Sequence, residues 1–348
     1  MLVTATKTEG NPVEGALSPK PGHEWKEIIE PVKPFMDQVI SGLAEQVDAF
    51  NPEIAGYARY ALTNQGKQLR PALVALSGAA TGKVNDSLVT VAVIIEMIHL
   101  ATLVHDDVMD EAQLRRRRPT LAANWGNEIS VLLGDCLFAH ALSLAASFPT
   151  PEVCRAVALA TNTVCSGEIL QTHQRRNFAL KREDYFKAVE MKTGELFALS
   201  CDMGSWLAGA NPAARASLRA YGLALGTAYQ IYDDCLDLFG SEDLAGKSLG
   251  TDLANGKLTL PLLIVLEKGT AAEQMRLKKL VQGWDAKNMP AIFELLSSCH
   301  ALTESCRVIH QYLEKTRTVL EKLPKSDSLN ALLALSDFLA QQIEALGV

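Results

Sequence analysis

LVTVAVIIEMIHLATLVHDDVMD, residues Leu88–Asp110, is the stretch whose reading decides the fold. From Leu88 to Val104 it is mostly apolar, and it then runs into three carboxylates, Asp106, Asp107 and Asp110. A membrane-spanning helix needs about 20 mostly apolar residues and tolerates a carboxylate at its middle poorly. Glu96 and His99 interrupt this run, so it reads as a buried helix of about residues 87–111. On a helix, residues i and i+4 project from one face about 6 Å apart, which puts Asp106 and Asp110 side by side. Two unit negative charges at that separation repel by about 2.8 kcal/mol at an effective dielectric near 20. Carboxylates at a helix C-terminus also oppose the macrodipole. The same pattern recurs in Tyr232-Asp233-Asp234-Cys235-Leu236-Asp237. Two matched DDxxD triplets, each closing an apolar helix, point to a hard cation held by aspartate oxygens. Magnesium takes one or two protein carboxylates and completes its shell with water and phosphate oxygens. No His/Cys cluster suggests a softer metal.

Around this stretch the apolar residues recur at helical spacing almost throughout. The pattern predicts a first helix from near Pro31 and Pro34 toward Phe50, one opened by Asn51-Pro52, and one from Pro71 through Ala80. Arg118-Pro119-Thr120 reads as a loop. Further helices are predicted over 127–147, 152–173, 183–208, 212–239, 259–268, 272–284, 289–298, 301–322 and 327–345. No strand alternation, glycine-rich phosphate loop or 20–50-residue repeat is present. Ala and Leu are abundant and aromatics make up only 6 %, a bias that suits helices better than sheets. The expectation is an all-α fold, a single bundle of ten or more helices. Residues 1–22, without an apolar or Arg-rich amphipathic segment, read as a mobile tail, and 23–348 as one domain.

The chain has 348 residues and a formal charge of −7, so bulk nucleic-acid binding finds no support. Seven cysteines lie scattered, an odd count with no CxxC pair, which suits a reducing, cytoplasmic compartment and no disulfide framework. Fixed positive charge lies where an anionic substrate would need it. Lys67 and Arg70 stand in Gly66-Lys67-Gln68-Leu69-Arg70-Pro71, and Arg115 to Arg118 follow the first triplet. His99, seven residues before Asp106, returns to nearly the same helix face. Lys192-Thr193, Lys247 and Lys257 are further candidates. Arginine suits bidentate phosphate contacts and lysine acts as a point charge. The four-arginine run has no aromatic neighbours for nucleic acid, since Phe, Tyr and Trp are absent from Ala61 to Asn124.

These residues together resemble the trans-polyprenyl diphosphate synthases, head-to-tail isoprenyl transferases, over about residues 25–345. The resemblance is carried by Gly66-Lys67-x-x-Arg70-Pro71, His99, the first DDxxD with Arg115-Arg116, and Gly134-Asp135. Lys192-Thr193, Gln230-Ile231-Tyr232 with the second DDxxD, Gly246-Lys247, Asp252 and Gly256-Lys257 complete it. It implies a type I isoprenoid synthase fold, with helices around a central apolar cavity. It also implies Mg2+, three ions with substrate bound, held by Asp106, Asp110 and Asp233, with Asp107, Asp234 and Asp237 supporting them through waters. Lys67, Arg70, His99 and Arg116 would hold isopentenyl diphosphate. Arg115, Lys192, Thr193, Gln230 and Lys247 would serve the allylic diphosphate or the nascent cation, and Lys257 would help close the site. Three positions depart from the family pattern: Gln65 where Gly is usual, Gly194 where Ala is common, and Arg117 where Gly normally follows the two arginines. A glycine there would permit positive φ.

In this family product length follows the depth of an apolar tunnel below the first triplet. Archaeal-type short-chain members often carry Phe or Tyr five residues before the first Asp, and bacterial ones insert two residues within the triplet. Here Ala101 holds that position, with Thr102 beside it and Ile98 a turn earlier, and there is no insertion. The expected product has thirty carbons or more; a farnesyl or geranylgeranyl product is the alternative, with Phe138 on another helix as a possible floor. A non-catalytic partner subunit would lose the acidic motifs, and a terpene cyclase would not need Lys67, Arg70 and His99. The resemblance implies a homodimer with helices 87–111 and 127–147 near its interface. No transmembrane segment is expected. A product so poorly soluble leads to the expectation of peripheral membrane contact at release.

Overall fold

The computed structural model describes residues 24–63, 66–240 and 249–346. The N-terminal tail, Gln65, Gly246 and Lys247 lie outside the described residues. The first half of the bundle comprises α1 (Trp25–Ile29), α2 (Lys33–Val47), α3 (Pro52–Leu62), α4 (Leu69–Thr81), α5 (Asp86–Met109), α6 (Leu121–Ala146) and α7 (Pro151–His173). It continues through α8 (Arg182–Val189), α9 (Glu195–Leu207) and α10 (Pro212–Phe239). Helices Thr251–Ala254, Leu260–Lys268, Ala271–Gln282, Met289–Ser298, Ala301–Leu320 and Asp327–Glu344 follow. The starts are set by local chemistry. Asn51, Asn85 and Asn211 each accept a backbone N–H of the first turn, and Pro52 and Pro212 sit at the first helical position.

The apolar run that suggested a membrane check forms the centre of the bundle. Leu88, Val91, Ala92, Ile94, Ile95 and Met97 of α5 are fully buried, each contributing on the order of 1.5–3 kcal/mol where a large side chain leaves water. α5 packs mainly on α6 and also meets α2, α4 and α9, while α10 lies against α9 and helix Ala301–Leu320. Among the described residues two helices, α5 and α6, are long and apolar enough to cross a membrane; the most apolar window of α5 is 67 % buried and that of α6 33 %. The second triplet closes α10 as the first closes α5, so both acidic ends are delivered by core helices.

Three expectations are corrected. The helix predicted from 127 starts six residues earlier, because Thr120 accepts the N–H of Ala123 as an N-cap. Gly126, at φ 86 and ψ 166, absorbs the kink that the sequence presented as a start; that region of backbone space is essentially open to glycine alone. The helix predicted over 183–208 is broken by a π-turn at Glu190–Gly194. Such turns concentrate at functional sites, and this one carries Lys192 and Thr193. The segment read as a loop is a small antiparallel hairpin, with Leu114 opposite Pro119 and Arg115 opposite Arg118.

Candidate active site

The hairpin is built backward from the first triplet. The N–H of Ala112 donates to the Asp107 carbonyl, and the Thr120 hydroxyl donates to the Ala112 carbonyl at 2.7 Å. The two-residue turn places Arg116 at φ 51 and Arg117 at φ 61, the left-handed pair that a tight hairpin requires. Asn and Gly ordinarily fill those positions, and here two arginines do. At each non-glycine residue this conformation costs roughly 1–2 kcal/mol. Arg117 is exposed, where charge contacts contribute little. Glycine recovers the strain and returns part of it as unfolded-state entropy. Arg117→Gly is therefore expected to raise stability by about 0.5–1 kcal/mol, read as a higher urea midpoint with an unchanged slope.

Arg116 reaches back across the site. A Cβ on Gly66 would lie 2.6 Å from its guanidinium, so the glycine is what lets the loop before α4 close on the hairpin. In that loop Lys67 lies over the Phe338 ring at 4.8 Å, and Arg70 stacks on Phe197 at 4.9 Å. Burial lowers the pKa of Lys67 and brings that of Arg70 down to about 10, with Glu96 opposing the fall for Arg70. Glu96, only 2 % exposed on α5, is raised by burial and lowered by Arg70 and Arg116. His99 stands one turn on. Burial, then Arg70, Arg116 and Arg115, hold its pKa well below the ordinary value, so its imidazole is neutral. Arg70, His99 and Arg116 are thus drawn together beside Glu96, a buried partner that motif reasoning passed over, while Lys67, expected in the same group, lies over Phe338.

Around the first triplet the aspartates divide their work. Asp107 accepts the Nε–H of Arg115 at 2.7 Å and is buried; burial raises its pKa and Arg115 offsets this. Asp106 lies 3.9 Å from Lys192 Nζ, which is also gripped by Glu168 and donates to Gln171 at 3.2 Å. Burial opposes the charge on Lys192, but Asp106 and Glu168 outweigh it and lift the pKa above the usual lysine range. Gly167 allows this: a Cβ there would lie 2.6 Å from the backbone nitrogen of Lys192, so α7 meets the π-turn backbone to backbone. Glu168 and Gln171 escaped the sequence reading. Their signal was helical spacing around Gly167.

Asp110 accepts from Asn255 at 3.0 Å and Lys257 at 3.1 Å, and Arg175 stands 3.6 Å away. Lys257 also pairs with Asp252 at 3.4 Å, while the N–H of Asp252 donates to Asp237 at 3.2 Å and the Thr251 hydroxyl to the same carboxyl at 3.0 Å. Residues 251–257 thereby link the two triplets. In the second one, Asp234 accepts from Tyr185 at 2.6 Å and from Gln230 at 2.8 Å; burial, with Asp252 adding, pushes its pKa up to about 7. The Thr193 hydroxyl donates to the Gln230 side-chain oxygen Oε1 at 2.6 Å. Asp107, Asp234 and Asp237 thus each accept hydrogen bonds from protein donors.

The donor set suits a hard divalent cation. Asp106 and Asp110 are partly exposed carboxylates whose neighbours are lysine and arginine, cations occupying the place of positive charge. Among the described residues no three His, Cys, Asp or Glu side chains converge as a ready-made cage. Ile98 and Ala101 are fully buried on α5; Thr102 is half-buried and donates to the His99 carbonyl at 2.7 Å. Phe138 of α6 faces His105, the residue before Asp106, with ring centroids 5.6 Å apart.

An all-α bundle presenting two aspartate-rich helix ends and buried cations defines a class of enzyme that handles diphosphates. The chain belongs to the polyprenyl synthetase family, whose model matches residues 51–297, and it is a prenyltransferase. It is 31 % identical over 308 residues to the octaprenyl diphosphate synthase of Escherichia coli (strain K12), covering 88 % of this chain and 95 % of that one. It is 37 % identical over 276 residues to the nonaprenyl diphosphate synthase of Mycobacterium tuberculosis, covering 78 % and 82 %. The crystal structure of a polyprenyl synthase from Caulobacter crescentus CB15, complexed with calcium and isoprenyl diphosphate, superposes with a TM-score of 0.87 at 30 % identity. That match covers 92 % of this chain and 99 % of the other.

Proposed function

We propose that the chain condenses isopentenyl diphosphate head-to-tail with an allylic prenyl diphosphate, releasing diphosphate and giving an all-trans polyprenyl diphosphate of thirty carbons or more. The observation that carries this reading is the linkage of the two triplets through Lys257 and Asp252, with Lys192 and Arg115 set on the first. Asp106, Asp110 and Asp233 hold Mg2+, three ions with substrate bound, whose charge makes diphosphate a competent leaving group. Lys192, held by Glu168 and Gln171, and Arg115, held by Asp107, face the allylic diphosphate. Thr193 fixes the Gln230 amide near the carbon that becomes cationic. Lys247 joins them and Lys257 closes the site. Arg70, Arg116 and Lys67 grip isopentenyl diphosphate, and neutral His99 donates a hydrogen bond without adding charge. The new carbon–carbon bond forms from the double bond of isopentenyl diphosphate, and the proton lost goes to the departing diphosphate.

Ile98, Ala101 and Thr102 line the path of the growing chain. The outward face of α6 and α7 carries Leu132 at 61 %, Leu159 at 68 % and Ile169 at 68 % exposure, which supports a homodimer through this face; light scattering at twice the 37.7 kDa chain mass tests it. The seven cysteines of this chain are free, which supports a cytoplasmic setting. Product release at a membrane surface is expected to show as faster turnover with added detergent or lipid.

The deciding experiment is a product-length assay with Mg2+, labelled isopentenyl diphosphate and primers of five, fifteen and twenty carbons. Products of thirty carbons or more support the reading. A stop at fifteen or twenty carbons overturns the length assignment, and no condensation with any primer overturns the activity.

A further inference from the structure

One cation at the mouth of the site has no part in the scheme above. Arg175 stands just past the Gln174 cap of α7, and its neighbour Arg176, at φ 57, donates its N–H to the Gly256 carbonyl at 2.7 Å. That bond fastens the turn to the segment carrying Asn255 and Lys257. Arg175 Nη2 lies 3.6 Å from Asp110 Oδ1, and the side chain is 26 % exposed, so the guanidinium faces the proposed metal-binding aspartate. Nε and Nη2 are buried and form no hydrogen bond among the described residues, Nη2 having only the longer ion-pair approach to Asp110. Unsatisfied N–H groups on a buried guanidinium are costly, and an anion that takes two of them at once recovers that cost. Asp110 already has Asn255 and Lys257 as donors and leaves these N–H groups unmet.

We propose that Arg175 is a further diphosphate-binding residue, its unpartnered N–H edge taking oxygens of the allylic diphosphate and of the inorganic diphosphate that leaves. The proposal rests on the reading that Asp106 and Asp110 hold that diphosphate through metal. Lys192 stands at the Asp106 end of the triplet and Arg175 at the Asp110 end. A diphosphate spanning the triplet is thereby flanked by a cation on each side. Lysine supplies a point charge and arginine a planar fork, so the two ends are not interchangeable.

The test compares the wild type with R175Q and R175K as full-length protein. It measures KM for a fifteen-carbon allylic diphosphate, KM for isopentenyl diphosphate, and the melting-temperature response to inorganic diphosphate with Mg2+. R175Q is expected to raise the allylic KM and weaken inorganic diphosphate by roughly 10- to 100-fold, with KM for isopentenyl diphosphate within about two-fold; R175K restores part of the loss. If Arg175 only balances Asp110, R175Q instead needs less Mg2+ for half-maximal activity and binds diphosphate as before, which overturns the proposal. Equal losses for both substrates, with a lower melting point before any ligand is added and no rescue by R175K, overturn it as well. An active wild type matched by R175Q sinks this proposal alone; an inactive wild type sinks the reading beneath it.

Discussion

Asp106→Asn is expected to lower kcat by about 10³-fold or more at saturating substrates and Mg2+, with the melting point little changed. One preorganised group aimed at developing charge is worth about 10²–10³ in rate, and a metal ligand neutralises more than one such group. The change is nearly isosteric, and Asp106 lies at the partly exposed end of α5, 3.9 Å from Lys192. Its loss therefore removes charge without opening the core. Lys192 keeps Glu168 and Gln171 as partners, so the surrounding side chains stay in place. The check is steady-state kinetics across a Mg2+ titration beside a thermal melt. A kcat within about ten-fold of the wild type would remove Asp106 from the metal site. Asp107 provides the internal contrast: its oxygen is spent on Arg115, so the corresponding amide should act mainly on the allylic KM.

The sequence made some of this legible and hid the rest for identifiable reasons. Helix positions in the core followed from apolar spacing because α5 is buried along most of its length, and the asparagine caps at 51, 85 and 211 mark starts by a local hydrogen bond. Repeated charge exposed the two triplets, since aspartates that repel need a reason to stand together. The hairpin was invisible because Arg116 and Arg117 occupy left-handed positions that composition assigns to Asn or Gly. The π-turn was invisible because it requires no special residue, only the close approach that Gly167 permits. Glu96, Glu168 and Arg175 were missed for another reason. Each pairs with a neighbour distant in sequence, and a lone carboxylate or guanidinium shows no partner until the fold brings one to it. Lys247 belongs to the same set by pattern but lies outside the described residues.

Ala101→Phe is expected to shorten the product from thirty carbons or more to fifteen or twenty. Ala101 is fully buried on α5, five residues before Asp106, and Ile98 beside it is 1 % exposed. From Ala61 to Asn124 the sequence contains no aromatic residue, so this helix presents no ring to the growing chain. A phenyl group at 101 has two places to go. If it enters a tunnel, it displaces prenyl chain and the resting fold accepts it at small cost. If it is forced into close-packed core, it strains the neighbouring helices by about 1–3 kcal/mol. Product length and melting temperature together separate the two cases. A shorter product with a nearly unchanged melting point places Ala101 on the tunnel wall. An unchanged product with a melting point lowered by several degrees places it in the core and moves the floor to another helix, with Phe138 of α6 as the ring to remove next. Because each condensation adds five carbons at the diphosphate end, the blocked enzyme should run its early cycles at the wild-type rate and stall only when the chain reaches the ring. That rate pattern distinguishes a steric floor from a general loss of activity.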